Sequence, residues 1–206
     1  MDPTFATETR HSISAANASR GNADLAGLVA ISRVVIVALL ATGCTFAPRP
    51  GAMVPSPERI PRAVAGDRYA GRVRIDGVDG GAESSPCSGP NVSNNQFRTA
   101  LEGALRESGY LSTDSTRGSA ALRIRIVSLE NPGFGFTYSV GSVVHYSVID
   151  SAGAVLLDTD VLARAQKSFR DAFVGAQRRR LANEASIRAN IEAFLLQLRA
   201  ALERRP

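Results

Sequence analysis

Residues 93–126 read SNNQFRTALEGALRESGYLSTDSTRGSAALRIRI, and two hydrophobic periods meet inside them. Ser93 followed three residues later by Gln96 is a capping-box pattern that opens a helix. Phe97, Ala100, Leu101, Ala104 and Leu105 then fall at helical spacing and form one apolar stripe. Gly109 suits the left-handed position that ends a helix, with Tyr110 and Leu111 placed to fold back on its last turn. Beyond a polar turn over 112–119, Leu122, Ile124 and Ile126 alternate with Arg123 and Arg125. Period two with one polar face predicts a half-buried strand. A helix that needs a partner is thus followed by a sheet with one solvated side.

The same reading extends in both directions. Upstream, residues 67–78 alternate, with Tyr69, Gly71, Val73 and Ile75 on one side and Arg68, Arg72, Arg74 and Asp76 on the other, which predicts a first strand. Residues 79–90 are rich in glycine, serine and proline and predict a loop, which contains Cys87. Downstream, Asn131-Pro132-Gly133 is a turn signal. A third strand is expected over 136–149, with Tyr138, Val140, Val144, Tyr146 and Val148 on one face. Asp150 to Gly153 reads as a hairpin turn, and a fourth strand follows over 154–165. Residues 166–175, with Phe169 and Phe173, form a less regular connection. A long helix is expected over 176–203, with Leu181, Ala185, Ile187, Ile191, Phe194, Leu195, Leu198 and Leu202 on its apolar face and arginines on the other. The order β-α-β-β-β-α predicts an α+β, two-layer sandwich: an antiparallel-dominated four-stranded sheet with two amphipathic helices.

The 206-residue chain is too long for that domain alone. Residues 1–24 are polar and without convincing period. A cationic residue, Arg33, then precedes an unbroken apolar run from Val34 to Ala41, which ends in Ala41-Thr42-Gly43-Cys44. This is the grammar of a secretory signal. A transmembrane helix needs ~20 apolar residues, and extending the run back to Leu25 would place Ser32 and Arg33 inside the bilayer, where arginine is costly. The long polar stretch before Arg33 is foreign to a signal, and no methionine lies between Met1 and Met53. A start at Leu28 or Val29 from a non-ATG codon would account for it.

Leu40-Ala41-Thr42-Gly43-Cys44 resembles the lipobox of bacterial lipoproteins, with Ala41 departing from the commoner leucine. The resemblance implies that Cys44 is diacylglycerol-modified, that residues 1–43 are removed, and that the new amino group can be acylated. By the enterobacterial form of that family's sorting rule, Thr45 in place of aspartate implies the outer membrane, on its periplasmic side, rather than the inner. The stretch 44–62 holds Pro48, Pro50, Pro55, Pro57 and Pro61 and predicts an extended lipid-anchored tether, with the domain proper spanning 63–206.

Of the 24 basic residues only Lys167 is lysine, and the net charge is +5. Apart from Arg178-Arg179-Arg180 and Arg204-Arg205 the basic residues are dispersed, so a solvated surface is expected rather than a nucleic-acid partner. After position 44 the single histidine is His145, which excludes a multi-histidine metal site. Serines and acids leave a Ser–His–acid triad open, but no Gly-x-Ser-x-Gly elbow accompanies it. Asp158 and Asp160 share a strand face without a third ligand, so a solvated edge is expected there. Pro132-Gly-Phe-Gly-Phe136 lies between strands and lacks the strand-to-helix context of a phosphate cradle. Asn190, on the apolar side of the last helix, is expected to bond to the sheet. With Cys44 acylated, Cys87 has no partner in the chain. No catalytic residue, cofactor or metal is assigned.

Taken together, the lipobox, the prolines and the element order resemble small Gram-negative envelope lipoproteins of the lipopolysaccharide-assembly accessory type. The likeness is carried by Phe97-x-x-Ala-Leu101 through Leu105-x-x-Ser-Gly-Tyr-Leu111, the strand 122–129, Tyr146-x-x-Ile-Asp150 and Ala185-x-x-Arg-Ala-Asn-Ile191. It implies a non-enzymatic accessory or binding module in envelope assembly or maintenance, with another envelope protein as partner. Two other readings stay open: an auxiliary lipoprotein of a transport system that binds a lipid or small ligand, and a hydrolytic enzyme, against which the sparse titratable groups argue.

Overall fold

The computed structural model describes residues 46–64, 66–85, 90–114, 120–130 and 137–204. The expected leader, Cys44, Cys87 and the expected turn at 131–136 lie outside the described residues. Four strands form one sheet in the order β1-β2-β3-β4. Strand β1 (Val73–Asp79) runs parallel to β2 (Ala120–Glu130), with Val73 opposite Ala120 and Asp79 opposite Arg125. Strand β3 (Thr137–Asp150) is antiparallel to β2, and β4 (Val155–Ser168) is antiparallel to β3. The sheet is therefore mixed and antiparallel-dominated, as its sequence implies. A parallel pair needs a crossover. Here that crossover contains the helix Asn94–Glu107.

Three helices are described: α1 (Pro50–Met53), α2 (Asn94–Glu107) and α3 (Gly175–Glu203). Helix α2 begins as its sequence dictates: the Ser93 hydroxyl accepts from the Gln96 amide, and the Gln96 side chain accepts from the Ser93 amide. It ends at Gly109, whose φ of +77° is the left-handed conformation, and the Tyr110 and Leu111 amides donate back to the Leu105 carbonyl. The core lies between sheet and helices. It joins Leu122, Ile124, Val144, Tyr146 and Val148 of the sheet to Phe97, Leu101 and Leu105 of α2 and to Ile187, Ile191, Phe194, Leu195 and Leu198 of α3. Tyr146 stacks on Phe194 with ring centroids 4.0 Å apart.

Two expectations fail, each for a physical reason. The alternation over 67–72 is not strand: these residues form turns, and pairing begins at Val73, where β2 first offers a partner in Ala120. The described part of the expected tether is not free. Pro50 occupies a first-turn helical position, where a missing N–H costs nothing. Met53, Pro55 and Ile60 are then buried. The arm follows α3 from its early turns toward its C-terminus. The Arg49 amide donates to Glu184 Oε1 (3.0 Å), Arg188 to the Ala52 carbonyl, Arg59 pairs with Glu192 (2.9 Å), and Arg199 donates to the Arg62 carbonyl (3.0 Å). Prolines thus stiffen a segment that side-chain donors fasten to the helix.

Candidate functional site

The sheet and helices sort the functional groups onto two ends. The last residues of β1 and β2, the last residues of β4 and the first turns of α2 and α3 share one end. Gly81 lies against Asn94, Tyr138 stands opposite Lys167, and the Arg179 guanidinium reaches Asn91 (3.4 Å). The chain enters the domain here, for the Gln96 side chain donates to the Pro48 carbonyl at 2.9 Å. Cys44 is two residues before Phe46, the first described residue.

At this end the first turns of α3 depart from the simple apolar stripe. Arg178, Arg180, Asn183, Glu184, Ser186 and Asn190 are all buried. Arg178 donates to the carbonyls of Ala172 (2.9 Å) and Phe173 (2.7 Å), and its guanidinium lies over the rings of Tyr138 and Phe169. Asn183 donates to the Pro90 carbonyl (2.8 Å), and Arg180 pairs with Glu184 (3.6 Å). Periodicity alone assigns such residues to solvent. The signal available in the sequence was the clustering of Arg178 to Arg180 beside the irregular stretch 166–175.

One turn further, a polar bolt crosses from α3 to the sheet. The Tyr146 hydroxyl donates to Asn190 Oδ1 (2.8 Å), Asn190 Nδ2 donates to the Val161 carbonyl (2.8 Å), and the hydroxyls of Ser186 and Ser142 meet at 2.9 Å. Asn190 therefore bonds across to the sheet as expected. Burial pushes the Tyr146 phenol well above its ordinary pKa. Its sealed surroundings leave no path for substrate, so the chemistry of this group is structural.

His145 stands on the opposite, open face of the sheet. Its Nδ1 lies 2.8 Å from Asp160 and its Nε2 3.2 Å from Asp158, across the β3–β4 pairing. Both ring nitrogens thus face carboxylates, and among the described residues the partners of His145 are Asp158 and Asp160. The two carboxylates also lie off opposite ring nitrogens and cannot converge with the imidazole on one ion. Among the described residues no group of three His, Cys, Asp or Glu is placed to hold a metal.

At the far end, an open cavity of about 380 Å³ is lined by Arg62, Asp67, Tyr69, Tyr110, Arg199 and Glu203, among others. Burial, together with the neighbouring Asp67 charge and its hydrogen bond, pushes the Tyr110 phenol up to about 12. The layer between helices and sheet is filled by side chains such as Tyr146, Phe97 and Phe194, all fully buried. No described helix is long and apolar enough to cross a membrane.

No protein-family model matches the sequence, and no curated protein matches it. Solved structures resemble the fold. Protein XCC0632 from Xanthomonas campestris, of the family DUF330, gives a TM-score of 0.55 at 11% identity, covering 77% of this chain and 95% of that one. A Caulobacter crescentus protein described as a lipoprotein gives 0.45 at 12% identity, covering 66% and 95%. A minor lipoprotein from Acinetobacter baumannii gives 0.37 at 12% identity, covering 66% and 93%. The likeness to XCC0632 is one of fold, and it agrees with the α+β architecture built above.

Proposed function

We propose that this chain is an envelope lipoprotein, anchored through Cys44 to the periplasmic side of the outer membrane. There it serves as a non-enzymatic binding module in envelope assembly or maintenance, with another envelope protein as partner. The observation that carries the reading is the position of Cys44, directly after an apolar run and two small residues. The docked arm supports it, since a folded domain starts within two residues of the proposed acylation site. Stable attachment takes more than one acyl chain, and a triacylated Cys44 meets that need without a membrane span.

The test is metabolic labelling with a fatty acid, followed by membrane fractionation. Wild type should be labelled and should sediment with outer membranes; Cys44→Ser should lose both properties. Label persisting in Cys44→Ser overturns the assignment. The transport-auxiliary reading draws on the far-end cavity, whose volume suits a small ligand. Its test is whether a small molecule or lipid, rather than a protein, co-purifies with the native lipoprotein.

A further inference from the structure

The turn 169–174 leaves apolar groups in solvent at the end where the chain enters the domain. Phe173 is 77% exposed and Phe169 45% exposed, their rings edge to face at 4.7 Å, and Val174 beside them is 47% exposed. This exposure is built in: Arg178 holds the turn by two carbonyl hydrogen bonds and lies over Phe169, so the rings are presented on a braced loop. Charge gathers at the same place. Beside the turn Arg170 is exposed and Arg179 half-buried, while Lys167 pairs with Asp171 and the buried Arg180 with Glu184, so the local charge is positive.

We propose that Phe169, Phe173 and Val174, with the accessible cations of Arg170 and Arg179 nearby in the chain, form a docking tip that enters the headgroup layer of an anionic phospholipid surface. Aromatic rings backed by arginines suit that layer, where the ring is half desolvated and the cation meets lipid phosphate. The entry point of the chain puts the tip on the anchored side. Pro48 is held by Gln96, and Arg49 by Glu184, which itself pairs with Arg180 within two turns of the tip. A second copy is a poorer occupant, because two tips that each carry Arg170 and Arg179 repel. The proposal rests on the lipoprotein reading of Cys44 and adds which surface of the domain faces the lipid.

The chain contains no tryptophan, so Phe173→Trp installs a single fluorescent reporter at an exposed position. The full-length lipoprotein is reconstituted into phosphatidylethanolamine–phosphatidylglycerol vesicles, with and without chain-brominated lipid. The expected result is a blue shift and quenching by brominated lipid. Leu162→Trp, at a 72% exposed position on the open sheet face, should remain unquenched in the same vesicles. Adding Arg170→Glu, or replacing phosphatidylglycerol by phosphatidylcholine, should reduce the quenching at 173. A reporter at 173 that is as unquenched as the one at 162 overturns the proposal. If its emission is blue-shifted nonetheless, a protein surface covers the tip instead. Fatty-acid analysis of the same preparation judges Cys44 separately. Acylated but unquenched protein defeats the tip alone; quenched but unacylated protein defeats the anchor alone; protein with neither property defeats both.

Discussion

The hydroxyl of Tyr146 and the amide oxygen of Asn190 meet at 2.8 Å across the helix–sheet interface, and neither residue is exposed. The other end of the same amide donates to the Val161 carbonyl. One asparagine therefore joins α3 to both β3 and β4. Tyr146→Phe keeps the stacked ring on Phe194 but strands a buried acceptor, at a cost of about 1–3 kcal/mol. In a domain of this size that lowers the melting temperature by roughly 2–4 °C per kcal/mol. Asn190→Ala should cost more, since it strands the phenol and the Val161 carbonyl together. Thermal unfolding of both singles and the double should show a double loss smaller than the sum. Strict additivity would mean that the bond is not a working unit.

Met53 tests whether the arm belongs to the domain. It is fully buried against the core, so Met53→Ala should destabilise the protein by about 2–5 kcal/mol. Arg188→Ala, which frees the Ala52 carbonyl, should expose residues 49–62 to limited proteolysis before the rest of the domain. Unchanged melting in Met53→Ala would restore the free tether.

Glycine substitutions separate strain from collision. Gly80 and Gly153 both have φ of +84°, yet a Cβ on Gly80 would stand 2.1 Å from the Ile126 carbonyl oxygen, whereas one on Gly153 meets nothing within 4 Å. Gly153→Ala should cost about 1–2 kcal/mol from its left-handed backbone alone. Gly80→Ala requires β1 and β2 to part, and should fail to give a folded product or melt far below Gly153→Ala. Equal melting temperatures would contradict this geometry.

Tyr110 predicts an alkaline transition. Its folded pKa is raised from 10.0 to about 12, so the neutral phenol is favoured in the native state. The stabilisation is fully present below pH 10 and is lost as pH rises from 10 through 12, where the unfolded chain ionises first. Tyr110→Phe should make the fall in stability over that window shallower, the buried Tyr146 supplying the rest, and remove a tyrosinate absorbance step near its top. A wild-type profile matched by Tyr110→Phe would exclude the assignment.

The elements with regular period were readable from residues alone. Ser93, Gln96 and Gly109 determine both ends of α2, and the alternation from Leu122 to Ile126 determines β2, because these signals are local. Residues 67–72 misled because alternation describes side chains, while a strand also needs a neighbour, and among the described residues the pairing of β1 with β2 begins at Val73 and Ala120. The arm misled because prolines report stiffness and not destination. What fixes it are donors from Gln96, Arg188 and Arg199, far away in sequence. The Cys44 pattern on which the proposed anchor rests is a signal of the sequence alone, and Cys44 lies outside the described residues. The exposed aromatic turn was not legible there, since Phe169 and Phe173 read only as part of a less regular connection, and the carbonyl bonds from Arg178 that brace the turn with its rings outward have no local signal.

The docked arm also sets a schedule. Met53 and Ile60 complete the core, so folding draws residues 46–62 onto α3. If the chain is cut before Cys44, as the lipoprotein reading proposes, a peptidase has to reach a site only a few residues from the docked Pro48 and Arg49. On the lipoprotein reading, maturation and folding thus compete for one short stretch of chain. The order of events is then expected to be acylation, cleavage and only afterwards closure of the arm, which makes the folded state itself the record that processing is finished.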